Sequence, residues 1–194
     1  MTWENAWQEG RTGWDAGQSA PALLKLLEQD VLPQGRAFVP GCGSGYDVFA
    51  LAHHGRSATG MDIAPTATVR FHTLREEKGL SLQQANIVND DFFSYSPEAP
   101  FDLIYDYTFL CAIEPEQRPA WAAKMADLLV DGGELVTLIF PIREDNGEGP
   151  PYAMSLEIVS GLLEERFTNV LLEEVTESHP GREGMEYIAR WKKR

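Results

Sequence analysis

The sequence has little cysteine, little positive charge and no long apolar run, and each shortage removes a class of function. Its two cysteines, Cys42 and Cys111, stand in unrelated contexts, so neither a disulfide framework nor a zinc-type spacing is available. Both are read as small buried hydrophobes. The four histidines are also dispersed, with His53 and His54 ending a helix, His72 on a helix and His179 before a turn. None has ligand spacing, so no metal is expected. Sixteen basic residues face thirty acidic ones, a formal charge of −14 that opposes binding to phosphate backbones and anionic membranes. The basic stretch from Arg190 to Arg194 is too short to reverse that balance. No apolar run approaches the ~20 residues of a membrane span. The opening Met1-Thr2-Trp3-Glu4-Asn5 lacks the regions of a secretory leader. A cytoplasmic, monomeric protein acting on a small molecule is expected, with no nucleic-acid or membrane partner.

What is present suits one domain over residues 1–194, a length that buries roughly 70% of its unfolded surface. Short apolar runs predict strands at Arg36–Val39, Ser57–Ile63, Leu82–Val88, Phe101–Asp106 and Glu134–Phe140. Helical patterns fall between them: Tyr46 to His54 stopped by Gly55, a helix from Pro65 to Gly79, and Glu116 to Val130 ending in the turn Asp131-Gly132-Gly133. A helix at Leu156–Arg166 and strands near Val170–Val175 and Glu186–Trp191 complete the series. Strands alternating with helices imply parallel pairing and a doubly wound sheet. The last two strands have only a turn-rich linker with Pro180-Gly181 between them, so they form an antiparallel hairpin at the edge. The expected class is α/β, with seven mostly parallel strands ending in a way that resembles the sheet of Rossmann-like class I methyltransferases. Residues 1–33, rich in Trp and carrying a helix near Ala20–Gln29 behind a Ser19 cap, read as a lid over the strand ends.

The chemistry-bearing pattern is Gly41-Cys42-Gly43-Ser44-Gly45-Tyr46, between the first strand and its helix. Glycines there permit a tight turn and close approach of a ligand. A dinucleotide fingerprint requires a glycine where Tyr46 stands, to bring the helix N-terminus against a pyrophosphate. The G-x-G-x-G spacing instead suits a nucleoside without pyrophosphate, such as S-adenosylmethionine. Asp62 ends the second strand, where a carboxylate can accept both ribose hydroxyls. Asp91 and Phe92 follow the third strand and offer an adenine partner and an aromatic face. Any one of these alone reads as an ordinary turn or cap; three at successive strand ends point to a cofactor site.

Asp106-Tyr107-Thr108-Phe109-Leu110-Cys111-Ala112-Ile113-Glu114-Pro115, followed by Arg118-Pro119-Ala120-Trp121-Ala122, resembles the thiopurine S-methyltransferase superfamily, and within it the plant and fungal halide/thiol methyltransferases. The likeness extends to Trp3-Glu4, Trp7, Gly13-Trp14-Asp15-Ala16-Gly17, Val39 to Gly45, Pro150-Pro151-Tyr152 and the closing Arg190-Trp191-Lys192-Lys193. It implies cofactor contacts at Trp3, Trp7, Trp14, Gly41, Gly43, Asp62, Asp91, Phe92 and Tyr107. The plant enzymes carry a longer N-terminal extension, a GGGH loop where this chain has Gly43-Ser44-Gly45-Tyr46, and a Tyr where it has Phe140, which would border the acceptor pocket.

The aromatic rings of Trp3, Trp7 and Trp14 can both anchor the lid and enclose a sulfonium cation. Tyr107, after the fourth strand, is read as a catalytic and acceptor-recognition residue against the alternative of a locally satisfied tyrosine. Arg118 has two readings: a surface residue paired with Glu114 or Glu116, or, as in the thiopurine branch, a catalytic residue bordering the acceptor. Pro150-Pro151-Tyr152 resembles an amino-methylating signature displaced by one strand, so Tyr152 is expected to contribute a loop over the pocket rather than N-methylation. The expected reaction is in-line methyl transfer from S-adenosylmethionine to a thiol, hydrosulfide, thiocyanate or halide. Such nucleophiles are wholly or partly ionised, so no strong general base is required. The alternatives are bulkier thiols, thiopurine-like compounds or metalloids, and a non-catalytic cofactor-binding module.

Overall fold

The computed structural model describes residues 2–194, and Met1 lies outside the described residues. A seven-stranded sheet runs in the order β3-β2-β1-β4-β5-β7-β6, with β1 Arg36–Pro40, β2 Ser57–Asp62, β3 Ala85–Asn89, β4 Phe101–Tyr107, β5 Leu129–Ile139, β6 Phe167–Glu174 and β7 Tyr187–Lys193. The first five are parallel, and β7 inserts antiparallel between β5 and β6, as the helix-free linker predicts.

Side chains leave each central strand alternately for two cores. Ala37 and Val39 join the cluster beneath α2 Pro21–Glu28, α3 Tyr46–His53 and α4 Pro65–Glu77, while Phe38 enters the one beneath α5 Arg118–Leu128 and α6 Leu156–Leu163. Burial on both faces is what parallel strands with crossover helices require. No helix among the described residues is long and apolar enough to cross a membrane.

Several boundaries differ from expectation. The third strand begins at Ala85, because residues 82–84 form a turn closed by Gln84. The helix expected from Glu116 begins at Arg118, since Pro115–Gln117 makes a 3-10 turn, and it stops at Leu128. Leu129 is already strand, paired with Phe101, and Asp131-Gly132-Gly133 is an irregularity inside β5, where pairing jumps from Phe101↔Leu129 to Leu103↔Glu134. The Leu156 helix is shorter than expected, because Phe167 opens β6. Ser19 is no cap: Ala20 occupies that position, and the Ser19 hydroxyl donates to the Tyr46 carbonyl at 2.7 Å.

The lid contains a six-residue helix, α1 Trp3–Gln8, that the sequence pattern did not suggest. Its Trp7 packs with Ala64 and Ala67 beside the start of α4. Glu4 accepts from the Thr66 amide at 3.0 Å and its hydroxyl at 2.6 Å, capping α4 from another segment. Those bonds, led by the Thr66 hydroxyl, hold the Glu4 carboxyl below its ordinary value.

Candidate active site

The glycine loop is built by ties to the end of β2. The Cys42 amide donates to the Met61 carbonyl at 2.8 Å, and the Gly43 amide donates to Asp62 Oδ2 at 2.9 Å. Gly41 and Gly43 have φ of 57° and 53°, a region that side chains rarely adopt. A Cβ on Gly41 would stand 2.5 Å from the Phe109 ring, and one on Gly43 would stand 3.3 Å from the Trp7 ring.

Asp62 is 8% exposed, and Oδ1 accepts from the Ala64 amide at 2.9 Å. Burial pushes its carboxyl up, and the amides of Ala64 and Gly43 oppose that shift. The Asn89 side chain donates to the Asp62 carbonyl, linking the ends of β2 and β3. Asp91 is exposed and accepts from the Phe93 amide, while Phe92 is buried and packs its ring against Phe109 at 5.0 Å. Phe92 is therefore chiefly a core residue.

Trp14 meets the rings of Trp3 and Trp7 edge-on at 5.2 and 5.8 Å, so the three predicted tryptophans form one cluster. The next residue, Asp15, accepts from the Ser44 hydroxyl at 2.5 Å and lies 3.8 Å from Arg70, strapping the lid across the glycine loop. Trp14, Gly41, Gly43, Tyr46, Asp47 and Tyr107 share one cavity with Thr108 and His179.

Tyr107 lies at the centre of a buried polar group. Its hydroxyl donates to Glu186 Oε1 at 2.5 Å and accepts from Arg182 Nη1. Arg182 also donates to the Trp14 carbonyl at 2.8 Å, reaching from the β6–β7 connection to the lid. Its guanidinium lies 5.1 Å from the centre of the Tyr107 ring and 5.0 Å from that of Phe140. Burial first, then the bond to Glu186, drive the Tyr107 phenol far above its ordinary value. The phenol therefore keeps its proton at neutral pH.

The turn after β4 is held from inside. Asp106 accepts from Trp121 Nε1 at 2.8 Å and from the Leu110 amide at 3.1 Å, and burial raises its carboxyl to about 6. Thr108 has φ of 62°, a strained value for a β-branched residue, between Tyr107 and Phe109.

Two predicted residues stand apart from this group. Arg118 is 8% exposed, its Nη2 reaches the Ala153 carbonyl at 3.5 Å and its Nε has no partner. The surface-pair reading is corrected: Arg118 forms no ion pair with Glu114 or Glu116 among the described residues, because its side chain turns inward. Glu114 instead accepts from the Tyr152 hydroxyl at 2.6 Å, which ties the loop after β5 to the turn after β4.

Sequence reasoning passed over Asp47, Arg182 and Glu186, and weighed His179 chiefly as a metal ligand. His179 and Arg182 belong to the linker read only as turns, where their one signal was charge and imidazole around Pro180-Gly181, and Glu186 opened the expected last strand. Asp47 Oδ1 accepts from the Ala20 amide at 3.1 Å, and burial pushes its carboxyl up to about 7.

The residues present fit an adenosyl cofactor without a pyrophosphate. The positive-φ glycines leave room that a Cβ would fill, Asp62 sits beside them, and the Tyr46 side chain stands where a dinucleotide loop has glycine.

Comparison with known proteins agrees with this geometry. The model of the thiopurine S-methyltransferase family matches residues 1–192. Probable thiol methyltransferase 2 of Arabidopsis thaliana is 45% identical over 196 residues, covering 98% of this chain and 84% of that protein. Thiocyanate methyltransferase 1 of Brassica oleracea is 43% identical, again covering 98% and 84%. Among solved structures, a Burkholderia thailandensis 1,6-didemethyltoxoflavin-N1-methyltransferase with bound S-adenosylhomocysteine superposes with a TM-score of 0.76 at 19% identity, over 97% of this chain and 84% of the other.

Proposed function

The chain belongs to the thiopurine S-methyltransferase family, and we propose that it methylates a small soft nucleophile, a thiol, hydrosulfide, thiocyanate or halide, using S-adenosylmethionine. The observation that carries this reading is the Arg182 guanidinium over the Tyr107 and Phe140 rings, beside the cavity of the glycine loop. A cation framed by aromatic faces suits a polarisable, weakly hydrated anion.

The cofactor, when bound, supplies a sulfonium methyl already activated for displacement. Gly41 and Gly43 give its backbone a close approach, and Asp62 receives the ribose hydroxyls on the lone pairs its two amide bonds leave free. Asp91 serves the adenine amine, and Phe92 supports that end from the core. Asp47, which lines the same cavity with one oxygen outside the Ala20 bond, would hold the α-ammonium. Trp3, Trp7 and Trp14 close over the site and exclude water, which strengthens attraction between opposite charges. Arg182 draws the anion in, and Tyr107 fixes Arg182 with a hydroxyl that stays protonated at neutral pH. Alignment of this kind can supply up to ~7–11 kcal/mol of the barrier reduction. Phe140 borders the acceptor, and Tyr152 ties down the loop above it. Arg118 acts at a distance, by holding the Ala153 segment.

The protein acts as one monomeric cytoplasmic domain in this reading. Headspace gas chromatography after incubation with cofactor and iodide, thiocyanate, hydrosulfide or methanethiol tests it. Volatile methylated product from at least one of them is expected. Absence of product from all four, in protein that binds the cofactor by calorimetry, would overturn it.

A further inference from the structure

His179 is 3% exposed, yet no hydrogen bond engages either of its ring nitrogens among the described residues, and Nδ1 is buried without a partner. The Ser178 hydroxyl beside it is unpartnered as well. Leaving a buried polar atom unpaired costs roughly 1–3 kcal/mol, so such a group is normally retained for a ligand or a reaction. The ring lines the same cavity as Gly41, Trp14 and Tyr107, and stacks on Tyr107 with centroids 6.3 Å apart and planes 22° off parallel.

We propose that His179 is the general base that makes protonated acceptors usable, taking the S–H proton of a thiol or of hydrogen sulfide at a free ring nitrogen. This rests on the methyl-transfer reading above. The S–H bond breaks, an N–H bond forms on the imidazole, and the electron pair stays on sulfur as thiolate beside Arg182. The imidazolium then returns its proton to solvent. Thiocyanate and iodide carry no such proton and have no use for the base.

The surroundings suit the task. Tyr107 faces the ring from β4, and Arg182 and Glu186 face it from the β6–β7 connection, with Asp15 of the lid and Asp47 of α3 on the same cavity. Burial first, then the Arg182 charge, hold the imidazole below its ordinary value, with Glu186 opposing. It is therefore neutral and able to accept a proton at neutral pH. Tyr107 cannot substitute, since its phenol keeps its proton.

The test compares acceptors. In the wild-type enzyme, kcat/KM for several thiols of different acidity should share one acidic limb, at a pH set by His179. In His179→Gln that limb should instead follow each thiol's own pKa, near ~8.5 for an ordinary thiol. The ratio of thiol to thiocyanate kcat/KM at pH 7 should fall about tenfold or more. A ratio that stays within twofold, or a wild-type limb that already tracks the thiol, would overturn the assignment, and normal thiocyanate turnover in the same experiment would leave the methyl-transfer reading standing. A second measurement needs no variant. Side-chain nitrogen NMR of histidine-labelled wild-type protein with sinefungin should show His179 neutral at pH 7, with a ring-nitrogen shift that moves on addition of a small thiol. A ring that is already imidazolium at pH 7, or whose shift the thiol leaves unchanged, would also overturn it.

Discussion

Asp62 holds Gly43: a carboxylate oxygen at the end of β2 accepts the amide of the glycine loop at 2.9 Å, while its other oxygen accepts from Ala64. One side chain thus shapes the loop that receives the cofactor and, in the proposed function, binds the ribose.

Replacing Asp62 with Ala should therefore damage binding more than folding. Bonds to a charged acceptor contribute about 1.5–3 kcal/mol each, so calorimetric affinity for S-adenosylmethionine should fall about tenfold or more. Two loop amides lose their acceptor, and the melting temperature should fall by a few degrees, roughly 2–4 °C for each kcal/mol lost. Unchanged affinity in a folded variant would remove the ribose assignment.

The lid offers a second test. Its grip on the body consists of Glu4 on Thr66, Asp15 on Ser44, Trp7 over Gly43 and the Trp14 carbonyl on Arg182. Each anchor ends at the glycine loop, the start of α4 or the Tyr107 group, with α2 and the central sheet outside its reach. Removing residues 1–17 should abolish turnover while the melting temperature falls only modestly. A truncated protein that methylates at the full rate would show that the tryptophans serve only to anchor the segment.

The parts of this site that could be read in the sequence were those with a local signature. Gly41, Gly43 and Asp62 stand at strand ends, where glycine spacing and an acidic residue carry meaning by position alone. Tyr107 followed from a strand end as well, helped by resemblance, and Phe140 from the resemblance alone. α1 was hidden because six residues show too little periodicity, and Asp131-Gly132-Gly133 looked like a turn although β5 passes through it. Arg182, Glu186 and His179 acquire their roles only in three dimensions. Seventy-five residues separate Arg182 from Tyr107, and no spacing rule spans that gap. Arg118 was left with two readings, and the fold removes only the pairing with Glu114 or Glu116, since its side chain turns inward.

Asp47 gives a prediction about pH. Burial raises its carboxyl to about 7 in the folded protein, against about 3.9 unfolded. A folded-state value above the unfolded one favours folding at low pH, and that contribution is lost as pH rises through about 7. Asn imitates the protonated form and keeps an oxygen for the Ala20 amide. Asp47→Asn should thus melt with the wild type at pH 4 and above it at pH 8, by a few kcal/mol, at roughly 2–4 °C for each. Its cofactor affinity should fall, because the ammonium loses its charged partner. An equal melting difference at both pH values would show that ionisation of this carboxyl is not the cause.

Tyr107→Phe separates positioning from proton transfer. The variant keeps the ring, and with it the surface under Arg182 and the stack with His179, but deletes the hydroxyl between Arg182 and Glu186. Glu186 is 2% exposed and would lose the bond that Tyr107 donates, a change worth roughly 1–3 kcal/mol of stability. Arg182 would lose one anchor and keep its bond to the Trp14 carbonyl, so it should remain near the cavity but less fixed. The expected result is a fall of about tenfold in kcat/KM for thiocyanate, carried mainly by a higher KM, with cofactor affinity altered less than about threefold. Because the phenol stays protonated, the thiocyanate profile at saturating cofactor should have the same shape in wild type and variant, with no alkaline limb due to Tyr107. A wild-type profile with an alkaline limb that vanishes in Tyr107→Phe would mean that the phenol ionises in the working enzyme. In that case the base for thiols would have to be sought at Tyr107, and the role given to His179 would pass to it.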